Sequence, residues 1–586
     1  MKRMHPLVQL VGGVSAVSAL LIGAAPRSVT HAQTARATVE FHLSGQWSPQ
    51  GQLNPYGNNN IAGFGGLTDN PLAYYIRGTT SYRPALAVSW TMSPQSIVVH
   101  LRPGALWQDN QPITSKDVVT TFLGGATVGW SIWNEISAVT ARGPETAVFT
   151  LRPHVELSDA LYNVLTVQGG QNIYPDHVWG QYLPKNVAAL AAANNSAALG
   201  KAGQALIQAG PATYVGSGPF QISSVGQSQI VLTKFAKFWG ANKIKIDRLV
   251  VDQALDNTAE LNQMLSGWTD FGWATEPLTV QHQWLSNPNN HIALPFDYSM
   301  YAAYFQTRHY PLNITAFRQA LAYIINRKND TQIADPVNIP DQVPTLLLPP
   351  VAQQWLPKSV YSSLNPYNPD AAKATALLTG AGFKKSGGQW LAPNGKPIKL
   401  TLMAPAGYTS SVVLMESMAN EMKQFGFTQV TSTSVDQSVY WTDQNEGNFD
   451  ISWGFAGYWT LDPIQEFYDL LVNENLTPKN PQYIGMGFGP NVTLEGFGTV
   501  NLTSFMQKLR ATNDTAQISK AVVALAKLEN TQLPLLPIEV KRLQTWYSSR
   551  TFTNWPAANN PLWTDCGGWA TSALSLMMQE GYVTPK

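Results

Sequence analysis

The stretch 82–122 constrains the fold of this chain more than any other part of the sequence, because it holds two periodic apolar runs and a helix start. In the first run, apolar residues alternate with small or polar ones, and this period of two predicts a strand with one buried face. The apolar members of that run are Leu86, Val88, Trp90 and Met92. After a turn cluster the alternation resumes over 97–101, and Thr114 stands three residues before Asp117, as in a capping box that opens a helix. Helical and strand patterns mix throughout the chain, which predicts an α/β or α+β class.

The residue types in this stretch identify a protein family, whereas its periodicity indicates only local structure. Four motifs follow one another: Ala-x-Ser-Trp, Leu-Arg-x-Gly-x-x-Trp, Asp-x-x-Pro-Ile-Thr and Lys-Asp-Val-Val. Together they resemble the family 5 extracellular solute-binding proteins, which are the oligopeptide, dipeptide, nickel and oligosaccharide receptors of ABC importers. The resemblance implies an α/β, two-lobe fold like that of periplasmic binding proteins, with a discontinuous first lobe and an extra subdomain.

Further segments extend the resemblance along the chain. They are the Gly-Ser-Gly-Pro-Phe run 216–220, the helix 317–327, the helix 368–383 and the late strand 534–538. In the second of these two helices, Asn368 is predicted to be the N-cap and Gly382 to end the helix. The implied boundaries are 1–37 for a signal peptide, 38–80, 206–300 and 546–586 for the core of lobe I, 81–205 for its extra subdomain, and 301–545 for lobe II.

The charge balance gives no support to a nucleic-acid-binding surface. The chain has 37 Lys and Arg residues against 36 Asp and Glu, a formal charge of +1, so no basic field attracts nucleic acid. Charged residues make up 12% of the chain, whereas about 25% is usual in soluble proteins. The polar surface is therefore predicted to consist largely of neutral side chains, which suits an extracytoplasmic protein.

The N-terminal segment 1–37 is predicted to be a secretory signal. Lys2 and Arg3 precede a mostly apolar run over 7–25, and small residues within 30–37 offer a cleavage site. The alternative is an uncleaved N-terminal anchor. The one cysteine, Cys566, lies far from the position at which a lipoprotein is acylated. We therefore expect a periplasmic or freely secreted protein without a lipoprotein cysteine.

Sequence signatures of catalysis are scarce. The chain has no Walker A loop, no His-Glu-x-x-His motif and no Gly-x-Ser-x-Gly elbow, and its nine histidines are scattered. No catalytic residue, metal site or cofactor is predicted. A glycosidase pair of acidic residues is defined by its separation in space, which the sequence does not show. A secreted carbohydrate-active enzyme, such as a glycoside hydrolase, therefore stays as the alternative.

Aromatic side chains are the main candidates for ligand contacts in this chain. It contains 19 Trp, 22 Tyr and 21 Phe residues, and the segment 449–459 alone holds five aromatic residues. Such rings offer apolar faces and polar edges for stacking on sugars or covering peptide side chains, although core packing is their more common use. In the family this segment faces the ligand cleft, so the resemblance implies a ligand-binding set. Its members here are Trp453, Phe455, Gly457, Tyr458 and Trp459.

One position in this set departs from the family pattern. Peptide-binding members carry an aspartate here that pairs with the α-ammonium group of the ligand, and the corresponding residue of this chain is Gly457. A buried ammonium group without a carboxylate partner is costly. Unless Asp462 or another acid substitutes, this position favours a neutral oligosaccharide over a peptide with a free N-terminus.

The resemblance also implies ligand contacts outside this segment. Trp273 follows a Gly-x-x-Asp pattern that leads into the family cleft, and Tyr301 and Tyr304 lie beside the predicted lobe crossing. Asn54 and Tyr56 belong to an Asn-Pro-Tyr run that resembles the first ligand-side loop of the family. A structural role is the alternative for each of these residues.

The predicted function is therefore that of an extracytoplasmic solute-binding protein, a monomer whose lobes close around a small-molecule ligand and which then docks on ABC permease subunits in the membrane. The ligand is an oligopeptide by the family's usual specificity, or an oligosaccharide by Gly457 and the tryptophan content. Nickel or a nickel chelate ranks behind both. No nucleic acid is expected as a partner.

Overall fold

Two separate β-sheets organise the protein, and each collects strands from distant parts of the sequence. The computed structural model describes residues 38–45, 53–57, 64–79, 81–153, 155–193, 195–211, 213–254, 257–273, 278–456, 462–476, 484–510, 512, 514–564 and 570–586. The predicted signal 1–37 and the residues Gly457, Tyr458, Trp459 and Cys566 lie outside these ranges.

The first sheet has seven strands and forms the core of lobe I. In spatial order they are Asn290–Ala293, Thr545–Ser548, Phe271–Trp273, Glu40–Gly45, Arg248–Gln253, Gln229–Lys234 and Phe220–Val225. Glu40–Gly45 runs parallel to both Arg248–Gln253 and Phe271–Trp273. The strands from Thr545 onward and from Glu40 onward meet in one sheet, so lobe I is discontinuous in sequence.

The second sheet has six strands and forms the core of lobe II. In spatial order they are Ile339–Pro340, Leu535–Arg542, Phe296–Phe305, Ile451–Ala456, Lys399–Pro405 and Gln429–Val435. The chain changes sheets between Ala293 and Phe296, and again between Arg542 and Thr545. The predicted domain boundaries themselves stay a prediction.

A third sheet, of four strands, lies within the segment predicted as the extra subdomain. Its order is Ala87–Ser93, Ser96–Leu101, Thr146–Leu151 and Ile136–Ala141. The helix Ser115–Thr127 packs on it through Val118 and Phe122, both fully buried. Thr114 and Asp117 form the predicted capping box, with the Thr114 backbone N–H donating to the Asp117 carboxylate at 2.6 Å. Both the hairpin and the helix start are thus confirmed.

The predicted buried face of the first hairpin strand is partly wrong. Val88 and Met92 are 40% and 42% exposed, and Trp90 is half-buried. Trp90 and Met92 pair with Val99 and Ile97, so they do lie on the core side of the sheet. Ala87–Ser93 is however the edge strand, and the cover provided by helices thins at an edge. The fully buried face is that of the neighbouring strand.

The helix predicted over 368–383 exists, but its cap differs from the prediction. It spans Ala371–Gly380, and the Asp370 carboxylate accepts from the backbone N–H groups of Ala372 and Lys373 at 3.1 and 3.0 Å. A carboxylate both accepts these bonds and complements the positive end of the helix dipole, which explains why Asp370 caps in place of Asn368. Gly382 follows the helix with a φ of 88°, as its predicted role requires.

Two glycines allow two backbone segments of lobe I to pack closely against each other. A Cβ at Gly216 or Gly218 would lie 2.1 or 2.3 Å from the backbone oxygen of Thr68 or Leu67. The Gly-Ser-Gly-Pro-Phe run therefore needs glycine for close backbone packing beside the strand Phe220–Val225.

The other elements surround these sheets. The remaining helices are Leu157–Leu165, Val167–Gly170, Asp176–Trp179, Val187–Ala192, Ser196–Ala202, Gln204–Ile207, Asn257–Leu265, Leu278–Leu285, Thr315–Ile324, Arg327–Ala334, Pro349–Trp355, Lys358–Tyr361, Thr409–Phe425, Gln437–Glu446, Pro463–Tyr468, Glu474–Leu476, Leu502–Arg510, Thr515–Gln532 and Ala570–Glu580, with single tight turns of helix at Arg77–Thr79, Ser131–Asn134, Gly180–Tyr182 and Pro561–Trp563 and a wide one at Asp469–Asn473. Short strand pairs are Ala73–Ile76 with Ser81–Pro84, Lys384–Ser386 with Gln389–Leu391, Asn491–Leu494 with Gly498–Asn501, and Phe552–Thr553 with Thr584–Pro585. Across the described ranges, no helix has both the length and the apolar character needed to cross a membrane.

Candidate ligand-binding site

The carboxyl ends of three parallel strands meet at one edge of the lobe II sheet. Lys399–Pro405 runs parallel to Gln429–Val435 on one side and to Ile451–Ala456 on the other. Ligands of open α/β sheets bind in the crevice outside this kind of edge. Tyr408 follows the strand Lys399–Pro405, and the described range 278–456 ends with the strand Ile451–Ala456. This edge is therefore the expected location of a ligand-binding site.

Four aromatic side chains meet there and form what we call the aromatic cluster, made of Tyr301, Tyr408, Trp453 and Phe455. Trp453 and Phe455 are two residues apart on one strand and so point to the same side of the sheet. Tyr301 joins them because it pairs with Phe455 across the neighbouring strand. Ring centroids lie 5.0 Å apart for Tyr301 and Trp453, 5.3 Å for Tyr301 and Phe455, and 4.9 Å for Trp453 and Phe455.

The aromatic cluster has a buried base and an exposed top. Trp453 is 1% and Tyr301 7% exposed, while Phe455 is half-buried and Tyr408 is 38% exposed. Tyr408 stacks on Trp453 at 5.7 Å with 27° between the ring planes. The indole N–H of Trp453 has no hydrogen-bond partner among the described residues. An exposed ring supported from below by a buried one is a suitable platform for a planar or sugar-like ligand.

A half-buried ion pair lies against the same rings. The Lys541 ammonium group is 5.8 Å from the ring centroid of Tyr301 and 5.7 Å from that of Phe455, and 2.9 Å from the Asp297 carboxylate. Burial lowers the pKa of Lys541, but Tyr301 and Asp297 outweigh it, so the pKa lies above its ordinary value. Burial also raises the pKa of Tyr301 to about 12. At neutral pH the lysine is thus charged and the tyrosine is neutral.

Asp297 also connects this region to lobe I. Its backbone carbonyl accepts from the Arg77 guanidinium at 3.1 Å, and its carboxylate accepts from Ser299 at 2.9 Å. Arg77 directly follows the strand Ala73–Ile76, whose Tyr74 and Ile76 are buried in the same hydrophobic core as Phe41 of the lobe I sheet. Asp297 lies next to the first change of sheets, so the contact joins the lobes close to their connection.

Lobe I contributes a second group of aromatic residues near lobe II. Tyr75 lies 5.1 Å from Tyr82 and 5.2 Å from Tyr162, measured between ring centroids. Burial raises the pKa of Tyr75 to about 12, with smaller contributions from Tyr162 and from Tyr298 and Asp462 of lobe II. Asp462 therefore lies within electrostatic range of this group, which faces the junction between the lobes.

Three of the predicted residues, Tyr301, Trp453 and Phe455, are brought together in the aromatic cluster. Tyr304 lies on the opposite face of the sheet. Tyr304 is fully buried and its hydroxyl donates to the Phe455 carbonyl at 2.6 Å. Its ring also occupies the space beside Gly454, where a Cβ would lie 2.5 Å from Tyr304 Cε2. The structure thus gives Tyr304 a supporting contact with the strand that carries the cluster, and its predicted ligand contact stays a prediction.

Two of the predicted residues of lobe I, Asn54 and Tyr56, make their contacts within lobe I. Asn54 is fully buried, and its amide donates to the carbonyls of Leu206 and Ala209 at 2.8 and 2.9 Å. Tyr56 is 6% exposed and packs 5.3 Å from Tyr174, between ring centroids. Trp273 is the last residue of its strand. Gly457, Tyr458 and Trp459 lie outside the described residues, directly after the Ile451–Ala456 strand. The ligand roles of all six stay predictions.

Sequence reasoning missed Tyr408, Lys541 and Asp297 as members of this region. Tyr408 stands three residues after the strand end at Pro405, so the rule that ligands bind at carboxyl ends of parallel strands could have found it. No local signal marks Lys541 or Asp297, because they meet only when the strands Phe296–Phe305 and Leu535–Arg542 pair.

A separate cavity opens elsewhere on lobe II. It has a volume of about 580 Å³ and lies between the helices Thr315–Ile324 and Ala371–Gly380, with Gln319, Asn365 and Lys373 as polar lining. It shares no lining residue with the aromatic cluster. The described ranges contain no group of three or more His, Cys, Asp or Glu residues arranged to hold a metal ion.

Known structures share this architecture. The fold matches that of the Thermotoga maritima periplasmic oligopeptide-binding protein with a TM-score of 0.75 at 24% identity, covering 94% of this chain and 99% of that one. The mannohexaose-bound form of the Thermotoga protein matches with a TM-score of 0.68 at 24% identity, covering 94% and 98%. NikA from Brucella suis in complex with Fe(III)-EDTA matches with 0.70 at 16% identity, covering 93% and 100%. The predicted two-lobe α/β fold is confirmed.

Sequence comparison adds a relative and a family. A stretch of 253 residues is 26% identical to the nickel-binding periplasmic protein of Escherichia coli (strain K12), covering 41% of this chain and 46% of that protein. The match thus spans about half the length of this relative. The sequence model for bacterial extracellular solute-binding proteins, family 5 Middle, matches residues 81–477. More than half of the 586 residues lie in that range, and the chain therefore belongs to the family 5 bacterial extracellular solute-binding proteins.

Proposed function

We propose that this protein captures an oligosaccharide outside the cytoplasm and delivers it to an ABC importer, by closing its two lobes around the ligand. The observation that carries the choice of ligand is the aromatic cluster at the carboxyl edge of the lobe II sheet. Tyr408 is 38% exposed and stacked on the buried Trp453, so it presents a ring face for a sugar ring. A neutral ligand also suits a chain in which only 12% of residues are charged.

An oligopeptide is the second candidate, and Asp462 is the observation that favours it. Asp462 caps the helix Pro463–Tyr468, and one carboxylate oxygen accepts from the backbone N–H groups of Ile464 and Gln465 at 2.7 and 3.0 Å. Burial raises its pKa, with a contribution from Asp159, so the carboxylate would gain from a cationic partner. Asp462 would then do the work of the family's aspartate, whose position is occupied by Gly457 in this chain. The names of the oligopeptide-binding proteins with the same fold agree with this candidate.

Mechanistically, closure buries the ligand between the lobes, and specificity comes from contacts with the cleft. The two connections between the sheets, at residues 293–296 and 542–545, supply the hinge. We propose further that residues 1–37 act as a cleaved export signal and that the closed monomer docks on permease subunits. The N-terminal sequence of the secreted protein tests the cleavage.

A thermal-shift screen of the mature protein tests the ligand class. The panel consists of mannohexaose, cello-, xylo- and malto-oligosaccharides, and di- to pentapeptides with free or acetylated N-termini. A ligand at 100 times its dissociation constant adds about 2.7 kcal/mol of stability. Stabilisation by an oligosaccharide without its hydrolysis supports the proposal, and stabilisation only by peptides with free N-termini supports the second candidate. Hydrolysis of the sugar, abolished by changing one acidic residue, would instead establish a carbohydrate-active enzyme.

A further inference from the structure

An ion pair joins two helices that belong to different lobes. The Arg510 guanidinium lies 3.0 Å from the Asp159 carboxylate, with Nη2 and Oδ2 as the closest atoms. Arg510 ends the helix Leu502–Arg510 of lobe II, and Asp159 lies in the first turn of Leu157–Leu165 in the extra subdomain of lobe I. The two side chains are only 22% and 12% exposed. Water therefore screens this pair less than an ordinary surface pair.

Carboxylates surround the pair from both sides of the junction. Lobe I supplies Glu135 and Glu156 beside Asp159, and lobe II supplies Asp462 and Asp469. Burial raises the pKa of Glu156, and Asp462 raises it further from across the junction. Burial likewise raises the pKa of Asp469 to about 6, with Asp159 contributing. The faces that meet here thus repel each other when their carboxylates are ionised.

Arg510 offsets this repulsion. Its positive charge lowers the pKa of Glu135, Asp462 and Asp469, in addition to pairing with Asp159. The guanidinium carbon lies 4.3 Å from the ring centroid of Tyr468, which fixes its position on lobe II. The neutral phenols of Tyr75 and Tyr82 in lobe I also interact with carboxylates of this cluster. Loss of Arg510 would leave carboxylates of both lobes facing one another.

The location of the pair makes it sensitive to closure. Asp159 and Arg510 lie on helices outside the two connecting segments 293–296 and 542–545, one on each side of the junction between the lobes. A hinge rotation displaces atoms in proportion to their distance from the axis, and a contact of 3.0 Å is lost when the helices separate by a few ångströms.

We propose that Arg510 and Asp159 form an inter-lobe latch, a contact made in the closed arrangement that raises ligand affinity by stabilising closure without touching the ligand. This inference rests on the proposed function, because it assumes lobes that close around a ligand. The latch acts on the rate of ligand release more than on the rate of binding, since it forms after the ligand has entered. It contributes equally to every ligand that allows full closure, and so it sets affinity and not specificity.

Single-molecule energy transfer in the full mature chain tests the latch directly. Dyes are attached through Glu145→Cys in lobe I and Lys396→Cys in lobe II, both exposed positions, with the native cysteine removed by Cys566→Ser. The closed fraction is measured in the labelled parent, in Arg510→Gln, in Asp159→Asn and in the double variant. The matched control is Lys527→Gln, which breaks the pair between Lys527 and Glu495, 2.8 Å apart within lobe II.

We expect Arg510→Gln to lower the closed fraction about tenfold, and Asp159→Asn to lower it less, because Arg510 also offsets the other carboxylates. The double variant should be more closed than Arg510→Gln, since it removes one of the carboxylates that repel. The release rate of the strongest binder from the panel above should rise about tenfold in Arg510→Gln. Lys527→Gln should match the parent in both measurements.

The latch is refuted if Arg510→Gln closes and releases ligand like the parent, or if the double variant is more open than either single variant. Failure of the proposed function looks different, because then no member of the panel binds the parent protein. The closed fraction still tests the latch in that case, since it is measured without ligand.

Discussion

Lys541 donates to Asp297 at 2.9 Å, and this contact joins the strand on which the chain enters lobe II to the strand on which it leaves. Lys541 also lies against the rings of Tyr301 and Phe455, and the Asp297 carbonyl accepts from Arg77 of lobe I. The base of the aromatic cluster and the connection between the lobes therefore share one ion pair.

This arrangement predicts that Lys541→Met destabilises the protein by about 1–3 kcal/mol, because the Asp297 carboxylate, 15% exposed, loses its cation. Urea unfolding measures the change. The matched control is Lys116→Gln, whose partner Asp176 lies 2.6 Å away but whose own side chain is 73% exposed; that change should cost less than about 1 kcal/mol. Equal costs for the two variants would contradict the role of the half-buried pair.

The aromatic cluster predicts a separation of stability from binding. Tyr408→Ala should change the free energy of unfolding by less than about 1 kcal/mol because Tyr408 is 38% exposed. Trp453→Ala should cost about 3–5 kcal/mol because the indole is buried. Calorimetric titration of the best ligand should show weaker binding to Tyr408→Ala at unchanged melting temperature. Unchanged affinity would remove Tyr408 from the site.

Gly454 predicts a steric effect inside the same strand. In Gly454→Ala the new Cβ would lie 2.5 Å from Tyr304 Cε2, so the buried tyrosine must shift and its hydroxyl bond to Phe455 must weaken. We expect a loss of about 1–3 kcal/mol in unfolding free energy. Gly380→Ala is the control, because a Cβ there meets nothing within 4 Å, and it should be neutral or slightly stabilising. A neutral Gly454→Ala would show that the strand has room to spare.

The sequence predicts the local helices and strands well, and also the strand that carries Trp453 and Phe455, because these features depend on residues that are close together in the sequence. Thr114 begins its helix as its spacing from Asp117 indicates, and Trp453 and Phe455 share a face because they are two residues apart. Partners from distant strands leave no such signal. Tyr301 reaches the cluster only through its register with Phe455, which is set by the packing of the whole sheet.

The capping of the helix Ala371–Gly380 shows a different reason for failure. Asn368 is the predicted cap, and a preference scale does not separate it from Asp370 two residues later. The geometry does so, because only Asp370 reaches the N–H groups of the first turn. The inter-lobe latch could not be predicted from the sequence either. Its two residues are 351 positions apart, and only the relative position of their two helices brings them together.

Buried acidic residues predict the pH dependence of stability. Burial raises the pKa of Asp69, Asp335 and Asp341 to about 6, and that of Asp330 and Glu539 to about 8. A carboxyl group with a raised pKa binds its proton more tightly in the folded state than in the unfolded state. Stability therefore rises as the pH falls from about 8 toward 4, by at most about 1.4 kcal/mol per pH unit for each group.

Stability should fall again in stronger acid. The pKa of Asp252 lies below its ordinary value, because bonds from His42 and Gln229 outweigh the effect of its burial. Its contribution is lost once the pH falls through that lowered pKa. Melting temperatures measured from pH 3 to 9 should thus pass through a maximum on the acidic side of neutrality, whereas a maximum at pH 8 would contradict this assignment.

Glu539 allows this prediction to be tested at one residue. It is fully buried, one carboxylate oxygen accepts from the Asn338 amide at 3.1 Å, and the other has no partner among the described residues. Glu539→Gln keeps the size and the acceptor but cannot ionise, so it should match the parent near pH 4 and be more stable than the parent at pH 9. The difference in unfolding free energy should grow as the pH rises from about 4 to about 8, because the carboxyl group then ionises in the unfolded parent while burial keeps it protonated in the folded one, and it should level off above pH 8. A constant difference across the whole range would mean that the substitution acts through packing and not through the proton.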